Sequence, residues 1–369
     1  MSPQKSGMKQ QKLISSLLVN GTLILICLIW IIPTFGVFVT SFRNSQDIFS
    51  SGWWTVFPHQ AFVKTGEIKI DPSVDVNGLI QVDGVSHTFE EWREGIKMPD
   101  GRQLTWYGNK RSRLLLVEAQ QWMWFDTNLT LENYTNVLQG QEFRFKDAQG
   151  QEIVRKGNDL GGAFLNSVAV AVPATIIPIL IACFAAYGFA WMNFPGRKLL
   201  FTIVVALLVV PLQIALVPIL QDYTKLGLNG TFLAIWLAHT GFGLPLAIYL
   251  LFTYISELPR DILEAAFIDG ASHFTIFTNL ILPLSIPALA SFAIFQFLWV
   301  WNDYLVALVF LGDQNRVITS ALAAIVGEKG QDWHLLTSGA FISMLLPLAV
   351  FFALQRYFVR GLMAGSVKG

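Results

Sequence analysis

A short polar stretch between two long apolar segments combines residue types that can dock onto another protein. It contains, in order, Glu264, Ala265, Ala266, Asp269, Gly270 and Pro283. Spacings of three and four residues would put Ala265, Ala266 and Asp269 on one face of a helix. Alanines on that face let another surface approach the backbone closely, and the Glu264 carboxylate beside them can pair with an arginine. The stretch is therefore suited to filling a groove in a partner protein.

The same stretch predicts two short helices joined at a glycine. We expect Ser256 to cap the first helix, with Pro259 in its first turn, and Gly270 to end it in the left-handed conformation. Ser272 can then cap a second short helix, which we expect Pro283 to end. Periodicity alone slightly favours a different interpretation, in which the loop is amphipathic and lies among lipid headgroups.

The composition is that of an integral membrane protein. Of the 369 residues, 53% are hydrophobic and 14% are charged, and the mean hydropathy is +0.52. The net charge is zero, which argues against a nucleic-acid partner. Charge is unevenly placed, since 29 of the 50 charged residues lie between Arg43 and Asp159. We expect that stretch to lie in water.

Six apolar segments are long enough to cross a bilayer, which requires about 20 helical residues. They are residues 13–41, 162–191, 199–221, 231–255, 284–311 and 336–358. The short flanks hold nine Lys and Arg residues on the side of the N-terminus and three on the opposite side. By the positive-inside rule, both termini and the Glu264 stretch face the cytoplasm.

The stretch from residue 42 to 161 is predicted to be a mainly β insertion on the outer side. It alternates apolar and polar residues around turn pairs such as Asp83-Gly84 and Asp100-Gly101. Its tryptophans could form an interfacial belt, a small core or a sugar-stacking surface, and the first two are favoured. Asn128 and Asn133 match the glycosylation pattern, which recurs by chance.

Several kinds of chemistry have no support in the sequence. Cys27 and Cys183 lie in apolar segments, and the five histidines have no metal-binding spacing. No GxxxxGK[ST] motif is present, so the sequence offers no phosphate-binding loop for ATP. We therefore expect no catalytic residue, no metal and no bound cofactor.

The polar stretch resembles a known family signature. Glu264-Ala265-Ala266, Gly270 and the segment 280–283 match the EAA signature of permease subunits in binding-protein-dependent ABC importers, except that Leu280 replaces the usual isoleucine. The match extends to carbohydrate importers through four further segments, Asn128–Tyr134, Phe164–Ser167, Trp301–Tyr304 and Gln355–Gly369. The chain is similar to MalG-like permeases, and its long insertion resembles that of the α-glucoside (AglG-type) subgroup.

The resemblance implies an all-α polytopic protein with the six-helix type I ABC importer (MetI-like) fold and a periplasmic β insertion. Its expected partners are a second, homologous permease, a cytoplasmic ATPase dimer that holds ATP and Mg, and a sugar-binding protein outside the inner membrane. The implied ATPase-coupling residues are Glu264, Ala265, Ala266, Asp269, Gly270 and Pro283. The tail residues Gly365, Ser366, Val367, Lys368 and Gly369 would reach the ATPase interface.

The predicted division of the chain has five parts: the cytoplasmic N-terminus (1–12), the first span (13–41), the periplasmic insertion (42–161), the remaining spans with a coupling loop at 256–283 (162–358), and the cytoplasmic tail (359–369). The insertion is expected to contact the binding protein or the second permease. Polar residues inside spans often mark a substrate path. The candidates here are Gln213, His239, Gln296, Asn302 and Asp303, with Asn166 as a further one.

Each candidate has a structural alternative. Gln213 could bond carbonyl groups freed by Pro211, His239 could be a bonded interior histidine, and Asp303 could lie at the headgroups. The resemblance itself implies a cavity wall in this half of the permease pair.

Two other classes of function fit parts of the sequence. An ion-coupled secondary transporter would need acidic residues in its spans, and Asp303 is the sole one there. A membrane enzyme could use carboxylates such as Glu90 and Glu91, but neighbouring residues on a strand point apart.

Overall fold

The computed structural model describes residues 3–123, 129–140, 142–146, 152–157, 159–329 and 332–364. The chain divides into two compact units. The first unit comprises Met1–Val39 and Gln46–Thr130, and the second comprises Thr40–Ser45 and Leu131–Gly369.

The first part of the chain forms one long helix and then a series of short strands. The elements, in order, are α1 (Pro3–Thr40), α2 (Ser45–Ser50), a 3₁₀ turn (Trp53–Val56), β1 (His59–Lys69), β2 (Ile80–Val82), β3 (Val85–His87), α3 (Phe89–Glu94), β4 (Ile96–Lys97), β5 (Arg102–Trp106) and β6 (Leu114–Met123). Many apolar side chains of α1 are exposed, including Trp30 at 78%. Such a surface is suited to lipid or to another membrane helix.

The strands form a small antiparallel domain with its own core. Their order in the main sheet is β1-β6-β5-β4, and β2 pairs with β3 in a separate hairpin. Asp83 and Gly84 both have positive φ in the hairpin turn, as the predicted Asp-Gly turn requires. Trp92 is fully buried and donates from Nε1 to the carbonyl of Ile80 at 3.1 Å. Trp106 is also buried, so at least these two tryptophans belong to a core.

The second unit is mainly helical. Its elements, in order, are α4 (Glu132–Gln139), the paired strands β7 (Glu142–Lys146) and β8 (Glu152–Lys156), α5 (Leu160–Trp191), α6 (Arg197–Ala206), a 3₁₀ turn (Leu207–Val209), α7 (Leu212–Lys225), α8 (Phe232–Ser256), α9 (Arg260–Ile268), α10 (His273–Ile276), a π turn (Phe277–Ile281), α11 (Leu282–Leu284), α12 (Ile286–Trp301), α13 (Leu305–Leu311), α14 (Ile318–Lys329) and α15 (Trp333–Ala364).

The described part of the chain contains helices for six spans, but two of them are broken. Four helices are long and apolar enough to cross a membrane, within α1, α5, α8 and α15, and the number becomes six when each of two bent pairs is one span. The segment predicted at 199–221 bends by 103° between Val209 and Leu212. Pro211 lies in that break and restricts the residue before it to extended backbone.

The span predicted at 284–311 is not one helix. It is preceded by a 69° bend between Leu284 and Ile286, and α12 ends at Trp301. The helix is interrupted between Trp301 and Leu305, where α13 begins. Asp303 lies in this interruption and caps α13 by accepting hydrogen bonds from amides in its first turn. The prediction of a continuous span was therefore wrong in this region.

Helix α5 runs through both apolar cores of this unit. One core contains residues from α5, α8, α12 and α13, including Ala174, Ile235, Phe297 and Phe310. The other contains Ala182, Leu251 and Ile255 from α5 and α8, together with residues 263, 276, 277 and 281 of the polar stretch. The stretch is thus part of a packed core and not a detached loop.

Candidate functional site

The loop between α8 and α12 contains the predicted pair of short helices. Gly270 has φ of +79° and ends α9, and Ser272 Oγ accepts from the amide of Thr275 at 3.2 Å to cap α10. Both features were predicted. The start of α9 was not, because α8 continues to Ser256 and Pro259 takes the cap position.

Pro283 does not end the second helix, contrary to the prediction. The helical path continues through a π turn at Phe277–Ile281, through Pro283, and bends only at Ser285. A proline ring collides with the carbonyl four residues earlier in a regular α-helix, and a π turn just before it changes that geometry. Pro283 therefore lies inside the structural path from the loop to α12.

One face of the loop is fastened to α5 and α8. Leu263, Ile276 and Phe277 are buried in the core shared with those helices. Phe277 stacks on Phe184 of α5, with ring centroids 4.4 Å apart. A polar contact lies beside this stack, where Tyr187 Oη of α5 is 2.8 Å from His273 Nδ1 of the loop. The loop and the end of α5 are thereby joined as one packed block.

The opposite face of the loop is exposed and combines carboxylates with large apolar side chains. Glu264, Ala265 and Asp269 are exposed, whereas Ala266 is half-buried against the core. Within the described ranges, Glu264 forms no ion pair. Ile268 is 85% exposed and Phe274 is 68% exposed. These two residues flank the Gly270 turn, and sequence reasoning missed them although apolar residues beside such a turn were a usable signal.

The predicted path residues are not gathered at one place. Gln213 is exposed on α7, and Asn302 is exposed and donates to the carbonyl of Leu298 at 2.8 Å. Gln296 and His239 are buried in the helical core. Asn166 is half-buried and donates to the carbonyl of Arg316 at 3.0 Å. Several of these polar groups therefore have structural partners.

His239 and Asp303 are the two candidates that lie near each other. His239 Nε2 is 3.8 Å from Asp303 Oδ2, which is beyond hydrogen-bond distance, and His239 is completely buried. The Trp299 ring meets the imidazole edge-on, with centroids 5.2 Å apart. Asp303 caps α13 by accepting from the amides of Val306 at 3.3 Å and Ala307 at 3.0 Å.

An apolar cavity of about 530 Å³ lies along α8 and α12. It is lined by Leu208, Phe242, Gly243, Leu246, Leu250, Phe292, Phe295, Gln296 and Trp299. Gln296 is the path candidate that this cavity contains. A second cavity of about 400 Å³ shares Leu208, Phe242 and Trp299 with the first and is lined mainly by aliphatic and aromatic residues.

Asn133 and Tyr134, which belong to the segment Asn128–Tyr134 that resembles carbohydrate importers, form polar contacts just after the end of α1. Asn133 is buried, and its amide donates to the carbonyls of Ser41 and Arg43 at 2.9 Å each. Tyr134 Oη lies 2.6 Å from Ser41 Oγ. This burial makes Asn133 a structural residue and not an accessible glycosylation site. Asn128 lies outside the described residues.

Other predictions concern metals, thiols and the tail. The described part of the chain contains no group of three potential metal ligands. Cys27 is exposed on α1, and Cys183 is buried. The tail residues Gly365, Ser366, Val367, Lys368 and Gly369 lie outside the described residues, so their predicted contact stays a prediction.

The sequence matches a family of membrane transport proteins. Residues 178–363 match the family model described as Binding-protein-dependent transport system inner membrane component. The osmoprotective compounds uptake permease protein GgtD of Synechocystis sp. is 47% identical over 352 residues, which cover 95% of this chain and 91% of the relative. The alpha-glucoside transport system permease protein AglG of Rhizobium meliloti is 44% identical over 384 residues, which cover 95% of this chain and 97% of the relative.

A third relative is similar over a smaller share of the chain. The probable ABC transporter permease protein PH1036 of Pyrococcus horikoshii is 37% identical over 248 residues, covering 67% of this chain and 84% of the relative. Because 95% of this chain is covered by the GgtD and AglG matches, residues 55–127 lie within both alignments. The β insertion is thus within the region of similarity to these two permeases.

Proposed function

Because this multi-pass membrane protein belongs to the family of inner membrane components of binding-protein-dependent transport systems, we propose that it forms half of the translocation path of an ATP-driven sugar importer. The observation that carries the proposal is the identity of 44% to an alpha-glucoside permease over almost the whole of both chains. The MetI-like permease fold and the helices for six spans agree with it.

The substrate class that we infer is an α-glucoside or oligosaccharide. Its support is the name of the AglG relative, together with the 35% identity to the trehalose/maltose transport system permease protein MalG of Thermococcus litoralis. GgtD is an uptake permease for osmoprotective compounds, so the proposal extends to solutes of that class.

The loop between α8 and α12 is the proposed contact with a cytoplasmic ATPase. Its buried face is fastened to α5 and α8, while Ile268 and Phe274 are exposed on the other face. Large apolar side chains exposed beside carboxylates are suited to a groove with an apolar floor and basic edges. Glu264, Ala265, Ala266, Asp269 and Gly270 would form that contact, and Pro283 would connect it to α12.

ATP and Mg would be bound by the ATPase partner and not by this chain. In support, the sequence contains no GxxxxGK[ST] motif. A second, homologous permease would complete the path, and a sugar-binding protein outside the cell membrane would deliver the substrate. The tail from Gly365 to Gly369 is proposed as a second contact with the ATPase. Both termini and the loop are proposed to face the cytoplasm, and the distribution of Lys and Arg supports this orientation.

The proposed cycle is alternating access. Closure of the ATPase dimer on ATP would displace the loop, and the packing of the loop on α5 and α8 would transmit this displacement to the spans. The path would then open towards the docked binding protein, and hydrolysis would reset it. A rigid connection is needed for such transmission, and the buried face of the loop provides it.

The test is uptake by the complete complex in proteoliposomes. The chain is reconstituted with its second permease, its ATPase and its binding protein, and uptake of radiolabelled trehalose, sucrose and maltose is compared with that of the β-linked control cellobiose. We expect uptake of an α-linked sugar that requires both ATP and the binding protein. Uptake driven by an ion gradient without ATP would establish the secondary-transporter alternative and overturn the proposal.

A further inference from the structure

Three prolines within the spans each have a carbonyl group that the helix itself cannot bond. Proline lacks an amide hydrogen, so the carbonyl four residues earlier loses its helical partner. In α5, Pro178 has no amide hydrogen to donate to the carbonyl of Ala174. Gln296 of α12 donates from Nε2 to that carbonyl at 3.1 Å, and both residues are buried. The side-chain amide thus replaces the backbone amide that proline lacks.

A second proline of α5 has the same arrangement with a different donor. Pro173 leaves the carbonyl of Ala169 without its helical partner. Trp236 of α8 donates from its indole Nε1 to this carbonyl at 2.9 Å. The sequence separation of 67 residues between donor and acceptor shows that the bond joins two different spans.

The third arrangement joins α12 to α15. Pro347 leaves the carbonyl of Ser343 unbonded within α15. Trp301 is buried at the end of α12 and donates from Nε1 to that carbonyl at 3.0 Å. Trp301 begins the Trp-Asn-Asp-Tyr segment that the sequence singled out, so this aromatic residue has a bonding role distinct from stacking.

We propose that Gln296, Trp236 and Trp301 are positioning residues that substitute for the missing backbone donors at Pro178, Pro173 and Pro347, and that α12 uses two of these bonds to move α5 and α15 together. A backbone carbonyl within a bilayer has no water to bond, so each donor is required while its proline is present. Gln296 and Trp301 both lie on α12, which follows directly from the loop. The second half of the proposal rests on the proposed transport function.

The packing around Gln296 gives an independent indication that its position is specified. A Cβ atom at Gly243 of α8 would lie 2.7 Å from both polar atoms of the Gln296 amide. Such a distance is shorter than van der Waals contact, so glycine leaves the space that the amide requires. Gly243 of α8 thus leaves room for the amide at the place from which it reaches α5.

The experiment is a set of matched double variants in the assembled transporter. Gln296→Leu should lower the unfolding midpoint in detergent by about 1–2 °C, the size expected for one lost hydrogen bond in a chain of this length. Pro178→Ala restores the backbone amide at position 178. In the Pro178→Ala background, Gln296→Leu should therefore cost little. The same compensation is expected for Trp236→Phe with Pro173→Ala and for Trp301→Phe with Pro347→Ala.

Mismatched pairs are the control for general stabilisation. Gln296→Leu with Pro347→Ala, and Trp301→Phe with Pro178→Ala, should show additive effects, because the restored amide is then in the wrong span. If Gln296→Leu lowers the unfolding midpoint equally in the wild-type and Pro178→Ala backgrounds, the proposal that Gln296 replaces the missing amide of Pro178 is wrong. If Gln296→Leu alone fails to assemble, recovery of assembly by Pro178→Ala supports the proposal, and continued failure contradicts it.

Transport measurements separate the two halves of the proposal. Gln296→Leu with Pro178→Ala should recover stability but not the full number of sugars imported per ATP hydrolysed, because the link between α12 and α5 is still missing. Full recovery of this ratio would overturn the role of α12 in moving α5. If the variants show the stability compensation but the wild-type complex shows no ATP-driven sugar uptake, the donor substitution holds and the proposed function fails.

Discussion

Tyr187 Oη and His273 Nδ1 lie 2.8 Å apart and join the C-terminal end of α5 to the loop that follows α8. The two residues are 86 positions apart in the sequence. Phe277 reinforces the same junction by stacking on Phe184. Because this contact lies between the exposed face of the loop and the spans, the proposed function predicts that changing it separates transport from ATP hydrolysis by the partner.

Tyr187→Phe should reduce the number of sugars imported per ATP while leaving assembly intact. The substitution removes one hydroxyl group and keeps the ring that packs against Phe277. Uptake and phosphate release are measured in parallel in proteoliposomes. Tyr249→Phe is the control, since that tyrosine is 42% exposed on α8. An unchanged number of sugars imported per ATP in Tyr187→Phe would show that the Tyr187 hydroxyl does not contribute to the coupling between the loop and α5.

Polar replacement of the exposed apolar pair should weaken binding of the ATPase. Ile268→Ser and Phe274→Ser remove large side chains that are 85% and 68% exposed. Together they should reduce the affinity for the ATPase at least about tenfold, because buried aromatic and aliphatic anchors dominate such contacts. Binding is measured by titrating the ATPase onto the permease pair in detergent. Ile214→Ser, at a 71% exposed position on α7, is the control for general effects of the change.

Gly270→Ala should weaken transport through the shape of the loop. Gly270 has φ of +79°, and alanine at such a backbone position is strained by about 1–2 kcal/mol. The strain should alter the angle between α9 and α10, so the ATPase should dissociate faster from the variant. The control is Gly188→Ala in α5, where a Cβ meets no atom within 4 Å. Equal dissociation rates for wild-type and Gly270→Ala would contradict a specified loop shape.

Asp303→Asn should retain much of the transport activity, whereas Asp303→Ala should not. The Asp303 carboxylate caps α13, and asparagine can cap a helix in its place. Loss of the cap by alanine should cost about 1 kcal/mol of stability. Thermal unfolding and ATP-driven uptake are measured for both variants. Complete loss of uptake with Asp303→Asn and unchanged stability would instead indicate a required charge, as in an ion-coupled transporter.

The β insertion should lose stability at low pH through Glu91. Hydrogen bonds from the Thr88 backbone amide and hydroxyl lower the pKa of Glu91 from 4.5. A carboxyl group with a depressed folded pKa contributes stability above its unfolded pKa, and that contribution is lost as pH falls through the folded pKa. The decline should therefore begin below about pH 4.5 and be smaller in Glu91→Gln. Fluorescence of the buried Trp92 reports the loss of stability. Equal dependence of stability on pH in the wild type and in Glu91→Gln would contradict an origin in Glu91.

The sequence predicted features that depend on local chemistry. Gly270 and Ser272 were predicted correctly, because a positive φ and a helix cap are set by neighbouring residues. The apolar segments predicted the four long helices, since length and hydropathy are also local features, but they did not predict the bends that divide the other two spans. Ser256 and Pro283 were misassigned because tertiary packing extends α8 through Ser256 and carries a helical path past Pro283.

The roles of polar residues in the spans could not be predicted, because their partners are distant in the sequence. Gln296 bonds a carbonyl 122 residues away, and Asn133 bonds carbonyls about 90 residues away. The prolines were the available signal, since each one implies an unbonded carbonyl four residues earlier. Only the assembled helices reveal which side chain reaches it.

The scarcity of cysteine has a practical benefit for following motion. The chain has two cysteines, one exposed on α1 and one buried in α5. Replacing both with serine or alanine would leave a background in which a single new thiol takes up a spin label or fluorophore. Position 261, exposed in the first turn of α9 and outside the proposed contact residues, accepts such a probe. Distances from that probe to a labelled ATPase would report the movement of the loop in each transport cycle.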